Sequence, residues 1–180
     1  VLPLLMLLTV TSVSISLGSP ALGSSISMST LLSRVSAANA AQREQQARLE
    51  AAPDAASFEP VTLALPDGVE SAYAALDAQG APSSYLFTVT GKGFGGSIKV
   101  LCVIGTDGLI RTCRTMDVSS ETKTLGGQTA NESYTSQYTG QDASLTGVSA
   151  ISGATITSTA YRSCVETAFA AFELVKEAQG

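Results

Sequence analysis

Four runs of β-branched, aromatic and aliphatic residues, each bounded by turn residues, precede a single long segment of helical periodicity, and this order constrains the fold more than any other feature. Ser71–Leu76 leads through Asp77-Ala78-Gln79-Gly80 to Tyr85–Thr90, and Gly91-Lys92-Gly93-Phe94-Gly95-Gly96 leads to Ile98–Ile104. Thr106-Asp107-Gly108 then joins that run to Leu109–Met116, and Asp-Gly between apolar runs is a strong hairpin signal. From Thr159 onward Ala160, Cys164, Ala168, Phe172 and Lys176, flanked by Val165, Phe169 and Val175, recur at helical spacing. The pattern predicts one amphipathic helix over 159–178, with Thr157 or Ser158 at its N-cap. Four strands meandering antiparallel, then a loop and a long helix, describe an α+β domain whose helix covers one face of the sheet.

Upstream the chain changes character. No charged residue precedes Arg34, and Val1 to Leu17 is mostly Val, Leu, Ile and Met with interspersed Ser and Thr. A spanning helix needs about 17 to 25 such residues, a length reached if the run continues through Leu22. An uncleaved membrane anchor is expected in preference to a signal peptide, because the small-residue site Ala38-Asn39-Ala40 lies too far beyond the apolar run. The opening residue Val1 predicts further residues upstream that carry the anchor's basic flank. Ser29 to Ala52 reads as a helical stalk stopped by Pro53-Asp54, and 53–68 reads as connecting chain. The expected organisation is a transmembrane anchor over 1–28, a helical stalk and linker over 29–64, and a domain over 65–180.

Composition removes whole classes of chemistry. The chain has 15 Asp and Glu against 10 Lys and Arg, so nucleic acid is not an expected partner. It has no His, which excludes a Ser-His-Asp triad and His-ligated zinc or haem. Its three Cys, at 102, 113 and 164, cannot supply a four-Cys iron-sulfur cluster. Cys102 and Cys113 fall opposite one another across the Asp107-Gly108 turn, but a two-residue turn sets them at a hydrogen-bonded pair, whose spacing suits a disulfide less well. Buried free thiols are expected there, and Cys164 belongs to the core face of the helix. The Gly91–Gly96 stretch lacks the Lys-Ser or Lys-Thr ending of a P-loop and runs into a strand, so it reads as a glycine-rich turn. Neither a catalytic acid or base nor a metal site emerges.

One polar stretch remains. Val148 to Ser158 passes from a short apolar segment through small hydroxylated residues into the helix. Its unpaired N–H groups and partial positive charge favour an anion near Thr155. Gly153 and Ala154 add little bulk, so a large group can approach the Thr155 hydroxyl.

Ser152-Gly153-Ala154-Thr155-Ile156-Thr157 resembles the flavinylation motif of the FMN-binding domain family, which includes the G subunit of the Rnf complex and the C subunit of the sodium-pumping NADH:quinone oxidoreductase. Gly93-Phe94-Gly95-Gly96-Ser97-Ile98 and the Asp-Gly hairpin resemble further blocks of that family. Glu121, Thr122, Leu125 and Gly126 match its Glu-Thr-Pro-Gly-Leu-Gly loop, with Lys123 and Thr124 in place of Pro and Gly. Tyr134 to Gly140 is similar to its aromatic, Gln and Gly segment. Ser149 stands where the family usually has Asp. The resemblance covers about residues 65 to 178, counted as roughly one domain.

The resemblance implies FMN held covalently through its phosphate to Thr155, with Ser152, Gly153, Ala154, Ile156 and Thr157 around the attachment. Glu121, Thr122, Leu125 and Gly126 lie near the flavin, and Glu121 and Thr122 are expected to tune it. One anchor and a compact domain fit the Rnf G subunit. That similarity implies an electron-transfer subunit, single-pass in the cell membrane with its FMN domain on the extracytoplasmic side. Its partners would be the other membrane subunits of an Rnf-type ferredoxin:NAD+ oxidoreductase coupled to Na+ or H+ movement, with a flavin transferase for maturation. The alternatives are a free-standing membrane-anchored flavoprotein and a tethered structural or binding domain without cofactor.

Overall fold

The computed structural model describes residues 27–179. The chain divides into two compact units, Val1–Ala38 and Asn39–Gly180. The expected anchor over 1–28 lies almost wholly outside the described residues, among which no helix is long and apolar enough to cross a membrane. Helix α1, Met28–Ala51, ends just before Pro53. Met28, Leu31, Leu32 and Val35 on its first turns are exposed.

The second unit is built on one sheet of five strands: β1 (Ser57–Pro60), β2 (Val69–Leu76), β3 (Pro82–Lys92), β4 (Ser97–Gly105) and β5 (Ile110–Asp117). Their spatial order is their order in the chain, and every pair is antiparallel. The meander and the long C-terminal helix are the α+β architecture expected, with one strand more. Ser57–Pro60, in the stretch read as connecting chain, pairs with Tyr73–Leu76 of β2. A four-residue edge strand containing Pro carries little periodicity, and it exists because β2 offers it a row of unpaired backbone groups.

The sheet is buried on both faces. Ile98, Val100, Cys102 and Ile104 alternate along β4 with Leu101 and Val103, and the two sets belong to separate apolar clusters. The first cluster packs beneath helix α3, Thr155–Gln179, through Tyr161, Cys164, Val165, Ala168, Phe169, Phe172 and Val175. The second is smaller and includes Ala51, with Ala47 and Ala52 packed at its edge, so the last turns of α1 cover part of the opposite face. Arg48 places its guanidinium 4.0 Å from the centre of the Tyr73 ring, and Arg114 pairs with Glu50 at 2.6 Å. The end of the helix read as a stalk is therefore part of the domain. Gln42–Glu50 is too polar for a core stripe, and Ala, Arg aliphatic stem and ion pairs do the covering instead.

Cys102 and Cys113 face one another in register as expected, with Sγ atoms 3.5 Å apart. Both are free and buried, and burial pushes the Cys113 thiol well above its ordinary value. The hairpin that sets this register is not a two-residue turn. Asp107 accepts from the Leu109 N–H and pairs with Arg111, while Gly105 N–H donates to Leu109 O. The register shifts by one residue between Val103 and Ile104, because the Ile110 N–H donates to Gln141 O rather than across the ladder.

Helix α3 begins four residues earlier than its apolar stripe. Neither Thr157 nor Ser158 caps it, since both lie inside the first turns and both are buried. Their hydroxyls go to tertiary partners: Thr157 donates to Glu121, and Ser158 accepts from the Ile151 N–H. The packing of Phe172, buried against Tyr85 with ring centres 5.8 Å apart, carries a direct test. Phe172→Ala should destabilise the domain by about 3–5 kcal/mol, read as a lower urea midpoint.

Candidate functional site

Three segments distant in sequence meet at the start of α3. They are the glycine turn between β3 and β4, the loop after β5, and residues 152–157. What holds them is the Glu121 carboxylate, only 7% exposed. Its Oε1 accepts from the Gly95 N–H at 2.9 Å and its Oε2 accepts from the Thr157 hydroxyl at 2.9 Å. A buried carboxylate without such donors would cost several kcal/mol, so each contact also fixes where the loop must run. Glycine follows from this crowding. A Cβ on Gly93 or on Gly126 would overlap the carboxylate, and one on Gly95 would overlap the Ser120 carbonyl.

The loop itself is tied by Leu125 N–H and Gly127 N–H donating to Thr122 O. Thr129 donates to Gly126 O, and Thr115 on β5 donates to Thr129 O at 2.8 Å. Lys123 and Thr124, in place of Pro and Gly, do not prevent Glu121, Thr122, Leu125 and Gly126 from reaching one wall. Tyr134, Tyr138 and Tyr161 support the other side as a buried trio, with ring centres 5.2 to 5.7 Å apart. The Tyr134 hydroxyl lies 3.0 Å from that of Tyr138 and donates to Ser158 O at the end of the first turn of α3. Burial raises all three phenols, so they stay neutral as structural props. The Ser149 N–H donates to Gln137 Oε1, which fixes the chain just ahead of the motif.

The result is a cleft of about 330 Å³ lined by Phe94, by Glu121, Thr122, Leu125 and Gly126, and by Gly153 through Thr157. Nine of the ten residues expected at the site are thus brought together, and Ser152 sits in the turn just outside. Their roles differ from one another. Thr157 points inward and is used up by Glu121, whereas Thr155 is exposed on the lip. Gly153 has φ +78, a left-handed conformation that admits the turn into α3. Ala154 stands at the N-cap, as the Ser158 N–H donating to its carbonyl shows, and has no side-chain oxygen to offer. The first-turn N–H groups, with the positive end of a 25-residue helix, therefore remain for an external acceptor beside the Thr155 hydroxyl.

Phe94 is the residue that sequence reasoning left without a role at the site. It is 75% exposed, and Ile156 and Leu125, at 57% and 44%, complete an apolar rim around the cleft. A large aromatic in a glycine turn that buries nothing is the signal that marks it. Glu121, by contrast, spends both oxygens on protein donors and acts as a positioning residue rather than a free polar contact. The donor set fits FMN: a helix N-terminus for phosphate, a free hydroxyl, and an apolar-rimmed cleft with the Thr122 side chain on its wall.

Thr157→Val should cost about 1–3 kcal/mol by leaving Glu121 Oε2 short of a donor. Gly126→Ala should destabilise further, and Glu121→Ala should relieve part of that penalty. A double-mutant cycle by urea denaturation should show coupling of about 0.5–3 kcal/mol between positions 121 and 126.

A search of curated proteins found no match to the chain. Residues 93–170, which contain the glycine turn, the Glu121 loop and most of α3, match the family model of the FMN-binding domain, and this match supports FMN as a ligand and a flavin-binding, electron-transfer role.

Proposed function

We propose that the protein carries FMN joined through its phosphate to Thr155 and passes electrons as a subunit of an Rnf-type membrane complex. The observation that carries the attachment is the exposed Thr155 hydroxyl at the uncapped start of α3, on the lip of the cleft. Attachment forms an Oγ–P bond at Thr155 and breaks the pyrophosphate bond of FAD, with AMP leaving and the hydroxyl proton released. A separate flavin transferase performs it: the chain has no His, and the Glu121 carboxylate in the cleft is already held by the Gly95 N–H and the Thr157 hydroxyl.

When bound, the flavin supplies the electron-carrying chemistry. The protein's share is position. First-turn N–H groups of α3 hold the phosphate oxygens, Phe94, Leu125 and Ile156 shield the ring from water, and Thr122 offers a hydroxyl to its polar edge. Glu121 and Thr157 keep these walls in register. An ester tether keeps the carrier from diffusing away, which suits a relay between fixed partners rather than turnover of a soluble substrate.

The apolar stretch Val1–Leu17 supports a membrane anchor, and the resemblance to the Rnf G subunit supports an extracytoplasmic domain with membrane subunits as partners and Na+ or H+ translocation as the coupled process.

Intact mass of protein purified from its native membrane should exceed the chain mass by one FMN less water. Thr155→Ala should abolish the increment and the yellow colour, while Thr155→Ser should retain both; an unmodified native mass sinks the reading. Protease added outside spheroplasts should digest 65–178, and survival of that segment while known external domains are cut would overturn the placement. Detergent-solubilised native protein should co-purify with other membrane subunits of the complex.

A further inference from the structure

Thr155 and Ile156 line a second cleft as well as the first. This cleft, of about 460 Å³, runs along α3 from those two residues, between the end of β3 (Val89–Lys92) and the row Thr155, Thr159, Ser163 and Thr167. Residues four apart lie one above another on a helix, so the row forms one wall about 18 Å long that starts at the attachment hydroxyl.

The two clefts offer different chemistry from one lip. The first has its exposed apolar rim and the buried Glu121 carboxylate behind it. The second has a wall of hydroxyls, an ammonium at Lys92, and a floor of Val89, Ala160 and Cys164. Its floor is uncharged, because burial pushes the Cys164 thiol up to about 11. Thr90 and Thr167 are already committed, donating to Glu70 and to the Ser163 carbonyl, so Thr159, Ser163 and Lys92 are the donors that face a ligand. Gly91 keeps β3 close against α3: a Cβ there would lie 2.6 Å from Cys164 Sγ. The row of small hydroxylated residues would carry nothing by itself. Its continuity with Thr155 is what matters.

Building on the attachment proposed above, we infer that Thr155 is a hinge and that the second cleft is an alternative berth for the tethered flavin ring. A flavin fixed only by its phosphate hangs on a ribityl chain of single bonds. Thr155 lines both clefts, so that chain starts at the mouth of each. In the first cleft the ring is held by apolar faces. In the second its carbonyls and ring nitrogens accept from Thr159, Ser163 and Lys92. Two berths that share the lip at Thr155 and Ile156 place the ring at two different surfaces in turn, which suits a relay between a donor and an acceptor with no movement of the domain itself.

The chain contains no Trp, so an introduced Trp is a local quencher of flavin fluorescence. Three variants are made in the holoprotein, with flavin load checked by intact mass: Leu125→Trp at the first cleft, Ser163→Trp at the second, and Glu173→Trp further along α3, lining neither. All three positions are solvent-exposed, so folding is retained. Leu125→Trp and Ser163→Trp should each add a fast decay component holding about one tenth or more of the amplitude, and Glu173→Trp should leave the decay unchanged. Quenching by Leu125→Trp alone, or equal quenching by Ser163→Trp and Glu173→Trp, overturns the second berth while leaving covalent attachment intact. Absence of the FMN mass increment in the native protein instead removes the attachment, and the hinge with it.

Discussion

A buried carboxylate that must find its donors organises the functional end of this protein. Glu121 takes one hydrogen bond from the glycine turn and one from the first turn of α3, and so makes three unrelated segments into one wall. The requirement propagates outward. Gly93 and Gly126 lack side chains because the carboxylate occupies the space, and Thr157 faces inward because Glu121 needs its hydroxyl. With Thr157 and Ser158 both committed to tertiary partners and Ala154 unable to cap, the start of α3 keeps its backbone donors free. The free donors at the start of α3 are thus a consequence of how the interior is satisfied.

The sheet and α3 supply the rigidity that such a site needs. Strands β3 and β4 are buried on both faces, and α3 is anchored by Val165, Ala168, Phe169 and Phe172 well before its N-terminal turn is reached. The tyrosine trio fixes that turn from the far side through Ser158 O. A hydroxyl at Thr155 is therefore held at the end of a braced rod, which is where precise placement of a tethered group is easiest. The exposed rim of Phe94, Leu125 and Ile156 is apolar surface whose retention a carrier site explains.

Much of this was legible in the residues. Alternation in Ile98–Ile104 and the Asp107-Gly108 turn placed the central hairpin and set Cys102 opposite Cys113. The Ser152–Thr157 motif and the Glu121–Gly126 loop pointed to residues that do share a cleft. Three features were not legible. The β1 edge strand is too short to show a period, and its pairing depends on β2. The last turns of α1 cover the sheet with Ala and Arg, residues that carry no apolar stripe. The role of Phe94 depends on what fails to cover it.

The sequence by itself determined the class of fold, the pairing of Cys102 with Cys113 and the presence of a cluster of hydroxyls near a helix start, because strand alternation, turn chemistry and local motifs are properties of neighbours in the chain. Tertiary structure alone decided which hydroxyl stays free. Thr155, Thr157 and Ser158 are chemically alike and nearly adjacent, and either of the latter two would serve as a cap in an isolated helix. Only the approach of Glu121 from 36 residues away and of the Ile151 N–H withdraws them and leaves Thr155 exposed on the lip.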